Sequence, residues 1–204
     1  MRRTDATGRA TRYGLKKTSA FLKCRSGFAA TEFALILPLL AVIFFGMLET
    51  SDILTINRRV ALAVNTMVDL AAQSEELTYD DVDDLIDGVV SILEPNDVTD
   101  VNVNILSVVK VGSSAVVLWS RDESGSAPYT TGSFYNKFDD ATIIRQNGSL
   151  LIVEMTYDYS PQFTHHFVGS TFTFERQAVR WPRRTSIIPL CNNSKLICIA
   201  SLPS

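Results

Sequence analysis

Residues 28–48 read FAATEFALILPLLAVIFFGML, and this run decides the architecture. Seventeen of its 21 residues are apolar; the exceptions are Thr31, Glu32, Pro38 and Gly46. A helix of that length rises roughly 30 Å, which matches the hydrocarbon core of a bilayer. No polar stripe interrupts the run after Glu32, which argues against a buried core helix. No other stretch of the 204 residues comes close to it.

Working outward, the flanks are unlike each other. Residues 1–27 hold eight basic side chains (Arg2, Arg3, Arg9, Arg12, Lys16, Lys17, Lys23, Arg25) and one acid, Asp5, a net of +7. The whole chain has 19 Lys+Arg and 22 Asp+Glu, so 11 basic and 21 acidic residues remain beyond position 27, a net of −10. The overall −3 therefore hides a strong asymmetry. Short basic segments stay in the cytoplasm, so the sequence predicts a cytoplasmic N-terminus and a body, from residue 50 on, across the membrane. A cleaved secretory signal is opposed by the long basic region and by ETSDILT after Leu48, which lacks a small-x-small site. The segment reads as a retained anchor. The 46% hydrophobic content excludes wholesale disorder.

Glu32 is the odd residue, because a carboxylate in a membrane helix is expensive unless paired or at the interface. Its context is Arg25-Ser26-Gly27-Phe28-Ala29-Ala30-Thr31-Glu32-Phe33. A basic leader ends in Gly, an aromatic follows, and Glu stands fifth counting from the aromatic. This ordered set resembles the processing site of type IV prepilins and pseudopilins, most closely the TadE-like minor pilins of tight-adherence (Tad, type IVc) pili. The resemblance implies a cut between Gly27 and Phe28 by a prepilin peptidase on the cytoplasmic side. Gly27 suits a backbone lying extended in a peptidase cleft. The new α-amino group on Phe28 has a reference pKa of about 7.7–8. An ammonium and a carboxylate buried in a helical bundle are tolerable as a pair. The family's role carried onto Glu32 is to meet the N-terminal amine of a neighbouring subunit and set register. Pro38, which removes an i→i−4 hydrogen bond, is a further pilin-like detail.

The resemblance also implies a single-pass protein of the bacterial inner membrane with a periplasmic head, which enters or primes a surface pilus. Its partners would be the prepilin peptidase, other pilins, the Tad inner-membrane assembly proteins and the lipid bilayer. Its role would be pilus assembly, hence cell adhesion and biofilm formation. It implies no enzyme activity and no cofactor. TadE-like and TadF-like proteins share the anchor motif, so both stay open, as do tip, base and shaft positions. The alternative reading is an uncleaved single-pass periplasmic sensor or binding module. An anchored secreted enzyme has no recognisable catalytic arrangement behind it.

After Leu48 the pattern stays helical and becomes amphipathic, with Ile53, Ile56, Val60, Val64, Met67 and Ala71 spaced by three and four. One helix from about Phe28 to Gln73 is expected, and the segments are a leader 1–27, a transmembrane and extended amphipathic helix 28–76, and a head 77–204. Thr78, with Asp81 three residues on, starts a second helix with a capping-box pattern, and Pro95 and Asn96 end it. Its apolar face is Val82, Leu85, Ile86, Val89 and Leu93. Strands are expected at Val101–Ile105 and Ala115–Trp119 across a Gly112-Ser113-Ser114 turn, at Leu150–Tyr159, and at Thr171–Val179. On the third, Ile152, Glu154, Thr156 and Asp158 share one side. Val153, Met155, Tyr157, Tyr159 and Pro161 look like the late strand of TadE-like proteins. Ser120–Gly148 reads as one long loop. The fold class is α+β, with an antiparallel sheet of about four strands.

Other motifs carry less. Asp80, Asp81, Asp83, Asp84 and Asp87 suggest calcium but lack the spacing and glycine of an EF-hand loop, and a solvated helix start is favoured. Asp122, Ser124 and Ser126 fit D-x-S-x-S, yet no helix follows to build a metal-binding α/β domain, so a polar turn is favoured. His165 and His166 are adjacent and point apart, a poor metal pair. Arg176, Arg180, Arg183 and Arg184 are assigned to pairing with acids of another subunit rather than to nucleic acid, given the −10 body. No metal site is expected. With the leader and its Cys24 removed, Cys191 and Cys198 remain in the exported tail. They form either a bridge closing a small loop or two free thiols.

Overall fold

The computed structural model describes residues 26–94, 98–99, 101–137, 141–161, 169 and 171–202. The chain divides into two units, Met1–Leu48 and Glu49–Ser204. Helix α1, Ser26–Ala71, contributes to both and contains Pro38. In the first unit, residues 28–48 are exposed all along except for half-buried Ala41.

In the second unit the same helix turns amphipathic. Ile56, Val60, Ala63, Val64, Met67, Val68 and Ala71 are buried at spacings of three and four, while Ile53 is only half-buried. A two-residue strand β1, Leu77–Thr78, leads into α2, Tyr79–Leu93. The Thr78 hydroxyl accepts from the Asp81 N–H at 3.1 Å, and the Asp81 carboxylate accepts from the Thr78 N–H at 2.8 Å. This reciprocal pair is a capping box completed by Asp in place of the commoner Glu. Val82, Ile86, Val89 and Leu93 form the buried face of α2. Arg59 of α1 donates to the Glu94 carbonyl at 2.9 Å, just past its end. Pro95 and Asn96 lie outside the described residues, as do Cys24 and the rest of residues 1–25.

The main sheet is antiparallel, in the order β3-β2-β4-β5. Its strands are β2 Val101–Val111, β3 Ser114–Asp122, β4 Ser149–Tyr159 and β5 Phe172–Arg180. The α+β fold with four strands is the expected one, but β2 and β3 run much longer than their alternation predicts. The reason is burial on both faces. Beyond Ile105 the strand reads LSVV, so no polar side remains for a period of two to mark. The β2–β3 turn is Gly112-Ser113, since Ser114 already pairs with Val111. Gly112 takes a left-handed φ of 62°, which a Cβ disfavours.

One face of the sheet packs on α2 and the second half of α1 through Val103, Ile105, Trp119, Leu151, Val153 and Tyr157. The other face has a smaller core in which Leu106, Val117, Leu150 and Ile152 meet Tyr135 and Ile144 from the long loop. That loop also covers the outer edge of β3. Val117 N–H donates to Ser133 at 2.9 Å, Gly132 N–H to Val117 at 2.8 Å and Tyr135 N–H to Ala115 at 2.9 Å. The tail adds a three-stranded sheet that the sequence reading did not anticipate. Here β1 pairs in parallel with β6, Leu190–Cys191, which pairs antiparallel with β7, Cys198–Ile199.

Candidate functional site: an exposed apolar helix and a polar cluster on the head

Gly27 and Phe28 sit in the first turn of α1, and Glu32 lies one turn further on. Residues four apart stand on the same face of a helix, so Phe28 and Glu32 are neighbours on one side. Both are exposed, Phe28 to 75%. The Thr31 hydroxyl donates to the Phe28 carbonyl at 2.8 Å. The Gly27–Phe28 bond lies in helical backbone. A peptidase that takes an extended strand must therefore open the first turn, where the amides lack intrahelical partners and the helix is easiest to unwind. Among the described residues, α1 is the one helix long and apolar enough to cross a membrane.

The arginines near the end of the chain have partners within the chain itself. They bond to the second half of α1 and to the segment just after it. Arg176 donates to Asn57, Arg180 to Asn65, and Arg183 to Asp69. Arg184 pairs with Glu75 at 2.8 Å. The Arg183 N–H also donates to the Ala72 carbonyl at 2.9 Å, which ties the segment after β5 to the end of the helix.

The acidic start of α2 is likewise engaged rather than merely solvated. Asp81 serves the capping box, and the hydrogen bonds from Thr78 hold its carboxyl below the usual range. Arg121 grips Asp83 with two bonds of 2.8 Å, which lowers Asp83 and raises Arg121. Asp80 accepts from the Asn193 side chain. Asp122 closes a polar turn, its Oδ1 accepting from the N–H groups of Ser124 at 3.0 Å and Ser126 at 2.7 Å. Cys191 and Cys198 form a disulfide, S–S 2.01 Å, directly across the β6–β7 pair. The Glu76 carboxylate lies within 4.8 Å of both sulfurs, but bonded sulfurs are not thiolate ligands. His165 and His166 lie outside the described residues.

Sequence reasoning missed the cluster around Glu154. On β4 this residue is only 8% exposed. Tyr135 donates to one carboxylate oxygen. Tyr129 and Lys137 donate to the other at 2.7 and 2.9 Å. Gln177 of β5 donates to the Tyr135 hydroxyl. Burial pushes the Glu154 carboxyl up, but the three donors together outweigh it and hold the group below its usual range. Tyr135 is driven far up, first by burial and then by its bond to Glu154. The one available signal was an acid inside the apolar run of β4. Its partners are 17 to 25 residues away in an irregular loop, with no periodicity to reveal them.

An apolar helix of membrane-spanning length, continued in sequence by an α+β head, is consistent with the class of single-pass membrane-anchored proteins. Residues 27–72 match the family model described as TadE-like protein, so the segment that begins at Gly27 and takes in almost all of α1 is TadE-like. That match supports a pilin-like, structural role associated with Tad pili. No match to the chain was found among curated proteins or among solved structures.

Proposed function

We propose that this chain is a TadE-like pseudopilin, a minor pilin needed for assembly of a Tad-type pilus and so for adhesion and biofilm formation. The observation that carries the reading is the match over 27–72, which starts at the glycine of the leader motif and contains the exposed apolar helix with Glu32 one turn from Phe28. Prepilin peptidase would cut between Gly27 and Phe28 and discard the +7 leader. The +7 segment supports a cytoplasmic N-terminus and a periplasmic head. Glu32 would then pair with the Phe28 amine of a neighbouring pilin, two charges that a bilayer tolerates together and not apart. The role is structural rather than catalytic.

Co-expression with a prepilin peptidase tests this. The mature mass should fall by residues 1–27, and Glu32→Ala should be inserted and cleaved but poorly incorporated into pili. Full incorporation of Glu32→Ala would overturn the pairing role. A mature chain that keeps its leader would favour an uncleaved membrane-anchored sensor or binding module.

A further inference from the structure

The second face of the main sheet changes character along its length. Leu106 and Ile152 make one end apolar. At the other end Asn104, Glu154 and Gln177 stand directly opposite one another on β2, β4 and β5, and Asn102, Thr156 and Glu175 make the next row. Cross-strand neighbours share a face, so these rows form a polar floor three strands wide. Above it lies a cavity of about 380 Å³, walled by Tyr129 and Lys137 of the long loop.

The floor offers more hydrogen-bonding capacity than the fold uses. Both oxygens of Glu154 are taken by loop donors. The Asn104 amide and the Thr156 hydroxyl, which line the cavity, have no side-chain partner among the described residues. Gln177 donates one amide N–H to Tyr135, and its carbonyl oxygen has no partner among the described residues. The charges at the opening balance, Lys137 and Arg176 against Glu154 and Glu175, and Lys137 is already paired with Glu154. No net field therefore selects an ion. Unused amide and hydroxyl groups suit a ligand whose every polar group both donates and accepts, which is the property of hydroxyls. Tyr129 lines the groove with Lys137, whose Nζ stands 5.8 Å from the centre of the tyrosine ring. The volume falls within the ordinary range of ligand pockets.

We propose that this groove binds a neutral saccharide unit. The proposal does not depend on the pilus-assembly role. The test is saturation-transfer NMR on the full chain in lipid nanodiscs, prepared without glycoside detergents. The probes are methyl glucoside, methyl galactoside and N-acetylglucosamine, with glucuronate and glucosamine as charged counterparts. At least one neutral sugar should receive saturation, more strongly than either charged counterpart. The signal should fall at least fivefold in Asn104→Ala and in Thr156→Val. Neither side chain has a bonding partner among the described residues, so both variants should keep the parent melting curve. Should one misfold, the other carries the test, and Gln177→Ala on the exposed edge strand replaces it. Absence of transfer to every neutral sugar overturns the proposal. So does transfer that survives the substitutions in folded protein, or an equal or stronger signal from a charged counterpart.

Discussion

The two halves of helix α1 are both rich in apolar residues and meet opposite fates. Between Phe28 and Leu48 large side chains such as Phe33, Leu35, Leu40 and Phe44 are exposed on every side. Between Glu49 and Ala71 most apolar residues form a stripe that is buried in the head, and only Leu54, Leu62 and Leu70 stay exposed among the large ones. Hydrophobicity alone does not separate these cases, but its angular distribution does. A stripe calls for a covering surface within the protein, whereas an unbroken cylinder calls for an apolar solvent outside it.

The sharpest way to break this comparison is to place the same charge in each half. Val64→Asp puts a carboxylate into the packed stripe and should cost more than about 4 kcal/mol, abolishing the cooperative melt of the head. Leu40→Asp should leave that melt in place and instead oppose membrane insertion by about 3 kcal/mol, read by carbonate extraction. Equal effects on the melt would erase the distinction.

The next largest effect lies on the face of the sheet opposite the covered half of α1. Glu154→Ala strands the Tyr135 and Tyr129 hydroxyls and should cost about 2–3 kcal/mol by denaturant titration. The sign of its pH dependence follows from its lowered folded pKa. The stabilisation is complete above the unfolded value of about 4.3 and is lost as pH falls through the folded value. Glu154→Gln should therefore show a shallower loss of stability in acid than the parent.

Replacing both Cys191 and Cys198 with Ala should release about 2–3 kcal/mol, judged from the short loop they close. Faster amide exchange should be confined to Leu77, Thr78, Leu190 and Cys191→Ala, with the stripe of α1 as protected as before. Asp69→Asn weakens the contacts of Arg180 and Arg183 with the covered half of α1. These are half-exposed pairs, so the loss should be about 1 kcal/mol or less and should shrink further in high salt.

Legibility followed the range of the interactions. The apolar helix, its amphipathic continuation and the capping box at Thr78 depend on residues within a turn or two of each other, and all were readable. The lengths of β2 and β3 were not, because coverage of both faces removes the alternation that marks a strand. The arginine contacts with Asn57, Asn65, Asp69 and Glu75 and the loop's hold on Glu154 were also hidden. A charge in sequence shows that a partner is needed and does not say which chain or segment supplies it.

By itself the sequence determined that this protein has a +7 N-terminal segment, a membrane-length helix carrying Glu32 one turn from Phe28, and an α+β head. Those features rest on composition and local periodicity, which survive without knowledge of the fold. Only the tertiary structure decided that Arg180 and Arg183 pair with Asp69 of this chain's own helix, that β1 takes the tail strand β6 as its partner, and that a loop and three strands line a polar groove around Glu154. Each of those brings together residues far apart in the chain. Closing such contacts depends on packing and burial, which no window of sequence contains.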